Sequence, residues 1–458
     1  MKKYIIIGII VSSPVLLAGG FFVHRYMGYM RYGSLIKKGE RLLSAGQSFP
    51  ALAAYTEAVK LQPNRPLAYL ERSRAHIARS ERADAIRDLK KAIDLKPDNP
   101  GPYIVLGDLY LQTDDYFKAA GEYERAIGLG VVRAPLYYKY GYAMFRASEF
   151  DTAIQGLKKA LEESPDMGLA SALMGTIYLG RGELEPAETA LRNSIGQLPE
   201  KDRPYTELGL CLYERGKYQD AMGFFKKALE TQGKKTSLYV MSARCLAMTG
   251  DREGAIRQLE SAIAQDSKQS AGYVELARLW IRAADEQTDA FATEKAVTAI
   301  EQALAISPNS SELHFMLGRV YEIRKDYARA MESYNRATRL WPTVPESYEQ
   351  MAAVSIQQRN RPQAERFLQK AAVLKAKSPG VFSFYGRFLM TDRRYDEAAD
   401  RFRTAITLNP NNTGYYLSLA EAQRLAGRRT DARETLQRAL AVEPNNAEIQ
   451  AALRRIGA

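Results

Sequence analysis

Apolar side chains recur along most of the chain at intervals of three and four residues, the spacing that gathers them on one face of a helix. Polar, helix-favouring residues fill the positions between, and β-branched runs are scarce beyond residue 23. This pattern predicts an all-α protein. A longer period lies over the short one. Alanine stands at Ala51, Ala85, Ala119, Ala153, Ala187, Ala221 and Ala255, each 34 residues after the last, and after one step of 41 at Ala296, Ala330, Ala364, Ala398 and Ala432. Four residues beyond each comes a large apolar side chain, such as Tyr55, Tyr123, Phe225, Tyr334 or Leu436, and three further on another alanine, with Ser194 the exception. Twelve residues before the marker alanine sits a second small residue, as at Gly39, Ser73, Gly107, Gly209, Ala243, Gly318 and Gly386. Small residues let two helix backbones cross closely, and large ones fill the space beside the crossing. Proline then closes most units (Pro63, Pro97, Pro165, Pro199, Pro308, Pro342, Pro410, Pro444) by ending the second helix. Asn or Asp often follows to cap the next helix, as in Pro97-Asp98-Asn99. The result is an array of helical hairpins.

The phased residues resemble the tetratricopeptide-repeat pattern, large-x2-Leu-Gly-x2-Tyr followed by Ala-x3-Phe-x2-Ala and Pro. The third unit matches it nearly throughout: Tyr103, Leu106, Gly107, Tyr110, Ala119, Tyr123 and Ala126. The resemblance covers residues 32–445 in about twelve helix-turn-helix units. It implies a right-handed superhelical solenoid, which fixes fold rather than activity. Val131, Gly233, Ser267 and Ala376 replace the closing proline, so looser junctions are expected there. The eighth unit carries seven extra residues within 281–295, Asp285-Glu286-Gln287-Thr288-Asp289 among them. Such an insertion reads as a lengthened turn or a contact loop. Residues 446–458 read as an amphipathic helix capping the end of the stack, with Ile449, Leu453 and Ile456 on one side.

In this family the first helices line a concave groove, and the resemblance assigns to it residues 2, 5, 9, 12 and 13 of each unit. Those positions hold Tyr138, Tyr142, Phe145 and Tyr213 in units four to six, then Arg244, Arg278, Arg282, Phe315 and Arg319 in units seven to nine, with Arg387 beyond. Rings bury much area at little entropic cost, and guanidinium forks bind carboxylates with two hydrogen bonds. The implied partner is a protein, with acidic segments. The plainer alternative is that the rings fill gaps between repeats and the arginines are merely solvated. The Lys and Asn arrangement with which some family members clamp a C-terminal carboxylate is not found at these positions.

Ahead of the repeats, residues 1–3 form a short basic tail, and Tyr4 to Val23 is a run of twenty residues without charge, long enough as a helix to span a bilayer. It is read as a transmembrane anchor over 4–24, followed by a juxtamembrane segment over 25–31. The competing reading is a cleaved export signal, whose apolar core is ordinarily shorter and ends at a small-x-small site. The Met-Lys-Lys start suggests a bacterial chain held once in the inner (cytoplasmic) membrane. Lys2 and Lys3 against the apolar run favour repeats in the periplasm, while Arg25, Arg31, Lys37 and Lys38 after it favour the cytoplasm.

Charge and chemistry narrow the function. The net charge of +12 reads most simply as a solvated helical surface with a Lys/Arg surplus. Glu and Asp interspersed on the same helices argue against a nucleic-acid ligand. Three histidines and two cysteines are too few and scattered for a metal cluster, and no nucleotide or hydrolase motif appears. Cys211 and Cys245 occupy the same packing position of adjacent units and are expected as reduced, buried thiols. No enzyme activity, cofactor or small-molecule substrate is therefore expected. The expected function is a membrane-anchored scaffold, touching the bilayer through its N-terminal helix and a protein through its groove, in assembly of an envelope, secretion, pilus or exopolysaccharide machinery. An adaptor facing the cytoplasm in envelope quality control or regulation is the alternative. A polysaccharide-binding or nucleic-acid-binding module ranks below both.

Overall fold

The computed structural model describes residues 13–200, 203–231, 233–287 and 289–457, with side chains from 27 to 456. Among the described residues there are twenty-five α-helices and no strand. The chain divides into two compact units, residues 1–232 and 233–458. In the first, Ser13–Ser44 pairs with Ser48–Leu61, Pro66–Ala78 with Arg82–Leu95, and so on to Tyr205–Glu214 with Tyr218–Thr231. In the second, the hairpins run from Thr236–Met248 with Arg252–Gln265 to Thr413–Leu425 with Arg429–Val442, and Ala447–Gly457 packs on the last. This final helix buries Ile449 completely, with Leu453 and Ile456 partly covered beside it.

All twelve marker alanines are fully buried, and the large residue four places on is at most 2% exposed in every unit. The crossing is tight. A methyl added to Gly107 would lie 2.6 Å from the ring of Tyr123, one on Gly318 2.5 Å from Tyr334, and one on Gly386 2.7 Å from Phe402. Where alanine takes the place of glycine the facing side chain is aliphatic, as with Ala243 and Leu259, Ala277 and Ile300, and Ala352 and Leu368, although Gly141 and Gly175 also face leucines. Each hairpin turns through one residue with positive φ just after its first helix. Glycine takes this place at Gly46, Gly182, Gly216, Gly250 and Gly427, while Ser80, Asp114, Ser148, Gln287, Lys325, Arg359 and Arg393 adopt it at φ between 55° and 65°. A left-handed residue there lets the turn satisfy the orphan carbonyls of the helix end.

Buried carboxylates tie neighbouring repeats together. Glu188 accepts hydrogen bonds from Arg192 at 2.8 Å and Lys217 at 3.0 Å, and pairs with Arg215. Burial alone would raise its pKa, yet the bonds from Lys217 and Arg192 leave it below the ordinary range. Glu365 accepts from Arg394 at 2.8 Å and from the Tyr385 hydroxyl at 3.0 Å, and the Arg394 bond chiefly holds its pKa low.

Two features of the sequence take unexpected form. The extra residues of repeat eight do not make only a longer turn: its first helix, Ala271–Asp285, continues through Ala283, Ala284 and Asp285, past the place where the others stop. At the other end, residues 25–31 belong to one unbroken helix, Ser13–Ser44. From Tyr29 onward it is latched to the first repeat: the Arg65 guanidinium sits 4.6 Å from the Tyr29 ring, Arg31 pairs with Glu57, and Tyr32, Leu35 and Ile36 are buried. Of the expected span over 4–24, residues 4–12 lie outside the described residues. Among those described, no helix is long and apolar enough to cross a membrane.

Candidate partner-binding groove

The expected groove residues fall into three places. In the first unit, Tyr138, Tyr142 and Phe145 share one face of Ala134–Arg146 because they are three and four residues apart. Tyr138 and Tyr142 stack with ring centroids 6.3 Å apart, and Phe145 tilts against Phe150 at 6.2 Å. Arg146 donates to the Tyr142 hydroxyl at 3.0 Å and lies 4.5 Å from the Tyr116 ring. Tyr138 and Phe145 also pack against the cluster around Leu157 and Ile177, so these rings serve the joint between repeats as well as the surface. Burial raises the Tyr138 pKa. Tyr213 meets Tyr218 edge-on at 5.3 Å.

In the second unit the arginines meet carboxylates. Arg244, on Thr236–Met248, pairs with Glu275 of the next first helix. Arg278, on that helix, pairs with Glu312 at the start of Ser311–Ile323, and its Nε lies 3.8 Å from Glu275. Arg319 returns the contact, donating to Asp285 at 3.3 Å. Asp285 can do so because of the helical extension of repeat eight.

Between and around these pairs opens a cavity of about 770 Å³, lined by Arg278, Ile281, Arg282, Asp285, Ser311, Glu312, Phe315, Met316, Arg319, Trp341, Val344 and Glu346. Four expected residues, Arg278, Arg282, Phe315 and Arg319, therefore converge. Arg282 is exposed and, unlike its neighbours, has no carboxylate within ion-pair distance among the described residues. Phe315 leans on Tyr334, whose ring centroid is 5.6 Å away. Tyr334 is fully buried and donates to Glu322 at 2.7 Å; burial first, then that carboxylate, raises its pKa. Glu346 is held by Lys375 at 2.7 Å, a bond that lowers its pKa.

Arg387 stands apart. It borders a smaller cavity of about 320 Å³ with Met390, Phe402, Leu417, Ser418 and Glu421, and donates to Ser383 at 3.1 Å. Sequence reasoning missed Trp341, which is 61% exposed, and missed both carboxylates that neutralise Arg278 and Arg319. Trp341 immediately precedes the closing Pro342, a place where Leu198 of an earlier repeat is buried but Trp341 is not. Glu312 occupies position 2 of its unit, itself a groove position. Among the described residues no group of three or more His, Cys, Asp or Glu side chains is arranged to hold a metal. Cys211 and Cys245 are buried and unbridged; burial pushes both thiols up, Cys245 to about 11.

Known proteins place the chain in a family. Human Protein O-mannosyl-transferase TMTC1 is 27% identical over 157 residues, 33% of this chain and 18% of that protein. Hsp70-Hsp90 organizing protein of Triticum aestivum is 34% identical over 92 residues, 20% of this chain and 16% of that one. E3 ubiquitin-protein ligase CHIP of Arabidopsis thaliana is 33% identical over 88 residues, 19% of this chain and 32% of that one. The chain thus spans less than a third of the length of each of these relatives. Among solved structures, yeast Tom70 aligns over 93% of this chain and 88% of its own at 16% identity and a TM-score of 0.40, and MamA over 35% and 93% at 27% identity and 0.33. One family profile described as Tetratricopeptide repeat matches residues 36–100, 104–167, 173–235 and 292–345, and a second of the same description matches 212–284 and 389–456. With the first profile alone covering more than half of its residues, the chain belongs to the tetratricopeptide-repeat family.

Proposed function

We propose that this protein is a membrane-anchored, non-enzymatic scaffold that grips an extended segment of a partner protein on the face lined by its first helices. The observation that carries the reading is the open cavity of repeats eight to ten, where an exposed Trp341, a half-buried Phe315 and an Arg282 without an ion-pair partner among the described residues converge. Exposed aromatic and guanidinium groups around a concavity are the chemistry of protein-interface hot spots. The name of one relative points the same way, that of an organizing protein for Hsp70 and Hsp90. The uncharged run before the repeats supports anchoring in the inner membrane, with the repeats in the periplasm serving assembly of an envelope machinery. A photo-crosslinking residue in place of Trp341 tests the groove in living cells. An adduct with a discrete protein is expected from that site and none from exposed Glu332 on the second helix of repeat nine. Equal labelling from both positions refutes the groove reading. Protease added to intact spheroplasts tests the location: digestion of the repeats is expected, and protection until lysis places them in the cytoplasm.

A further inference from the structure

Resting on that reading, we infer that the cavity of repeats eight to ten accepts one carboxylate side chain beside one large apolar side chain of its partner, and rejects runs of acidic residues. The charge arrangement carries the argument. Three guanidiniums reach the cavity, but Arg278 is committed to Glu312 and Arg319 to Asp285. Three cations less two carboxylates leave a balance of one, and that one is Arg282, a turn beyond Arg278 on the same helix face. Glu346 on the wall is held by Lys375 at 2.7 Å, and Lys375 also reaches Glu349 at 3.2 Å, so this side of the cavity offers no spare positive charge.

A single incoming carboxylate can dock on Arg282 through a charge-assisted, two-pronged bond. A second would have to lie beside Asp285, Glu312 or Glu346, where like charges repel it. Apart from Ser311, the rest of the lining is apolar. Ile281, Phe315 and Val344 are half-covered, and Trp341 is open to solvent, so a large apolar side chain entering there removes all four from water. The cavity is polarised, with one positive group at one side of an apolar floor.

Phage-displayed decapeptides of random composition, selected on the full-length protein in detergent, are the probe. Enriched peptides are expected to carry one Asp or Glu within about three residues of Phe, Trp or Leu. Arg282→Gln should weaken them about tenfold, as expected for loss of one charge-assisted bond. Trp341→Ser should weaken them too, and Arg282→Glu should switch the preferred charge from Asp or Glu to Lys or Arg. Because both positions face solvent or the open cavity, unchanged helical circular dichroism in the three variants excludes misfolding as the cause. Enrichment of acidic runs, or of peptides indifferent to Arg282, overturns this inference while leaving the scaffold reading intact. Retention of laurate instead of any peptide assigns the cavity to a small amphiphile and overturns it. Enrichment of no peptide at all refutes both.

Discussion

Replacing Gly318 with alanine should destabilise repeat nine, although alanine favours helix. The new Cβ would lie 2.5 Å from Tyr334 Cε1, 2.6 Å from Cδ1 and 2.9 Å from Cζ. Carbon atoms in contact settle at about 3.5–4.0 Å, so the ring must retreat by about 1 Å. It has little room, because the ring is fully buried, its hydroxyl is fixed to Glu322 at 2.7 Å, and Phe315 packs on it. Overpacking of this kind costs about 1–3 kcal/mol, against about 1 kcal/mol returned by the helix preference of alanine over glycine. The expected net loss is about 0–2 kcal/mol, toward the upper end because the ring is pinned on two sides. Tyr334→Leu alone should cost about 2–3 kcal/mol, through the hole it leaves. Together the changes reproduce the Ala352 and Leu368 pairing found one repeat on, so the double variant should be more stable than additivity allows, by about 2 kcal/mol. Amide hydrogen exchange over residues 311–340 measures each local opening free energy. Additivity within about 0.5 kcal/mol, or a single Gly318→Ala variant stabilised by the full helix preference, refutes the picture of a jammed crossing.

Three further outcomes can be checked. Arg359 adopts φ 57° in a turn that glycine fills elsewhere, so Arg359→Gly should raise the urea midpoint by an amount equivalent to about 0.5–1 kcal/mol; a lower midpoint contradicts this. Glu188, Glu346, Glu365 and Glu421 all have pKa values held below the ordinary 4.5 in the folded state. As pH falls the unfolded chain therefore takes up protons first, so the stability these groups provide is complete above about pH 4.5 and drains away below it. Thermal midpoints should decline steadily through that range, less steeply in Glu188→Gln, whereas burial raises the Glu71 pKa and makes it act in the opposite sense. Cys211 and Cys245, buried with raised thiol pKa values, should resist iodoacetamide at pH 8 until the chain is unfolded; labelling at the rate of a free thiol, read by mass spectrometry, would show that their packing opens.

The hairpin array was legible because its signal is steric and repeated. A position that holds only alanine, followed four residues on by one that holds only large apolar groups, declares itself when it returns nearly every 34 residues. Four cavity residues were legible for the same reason, since repeat phase tells which face each occupies. What one repeat's phase does not convey is the partner each side chain finds across the joint. Arg278 and Arg319 looked like cations available to a ligand, yet Glu312 and Asp285 claim them. Repeat phase places Glu312 on the groove face, but not against Arg278 of the preceding repeat. It does not place Asp285 at all, because that residue lies in the insertion, where the period fails and only the structure shows the helix running on. Tyr138 and Phe145 teach the converse: a groove position can also be a packing position when the next repeat leans on it.

The unbroken helix from Ser13 to Ser44 sets a compass bearing for the repeats. At about 1.5 Å and 100° per residue, its 32 residues form a stiff rod about 48 Å long. Repeat one is clamped to its C-terminal half, so the azimuth of the first unit's hairpins is geared to whatever the N-terminal half rests against. One residue inserted between 27 and 31 would swing that bearing by about 100° while lengthening the rod by only about 1.5 Å. Seven inserted residues would lengthen it by about 10 Å yet restore the bearing to within about 20°. Loss of partner contacts at Tyr138, Tyr142 and Phe145 of the same unit after a one-residue insertion, with recovery after seven, would reveal a first unit that must face its partner from a fixed direction. Indifference to both would reveal one that need only be near it.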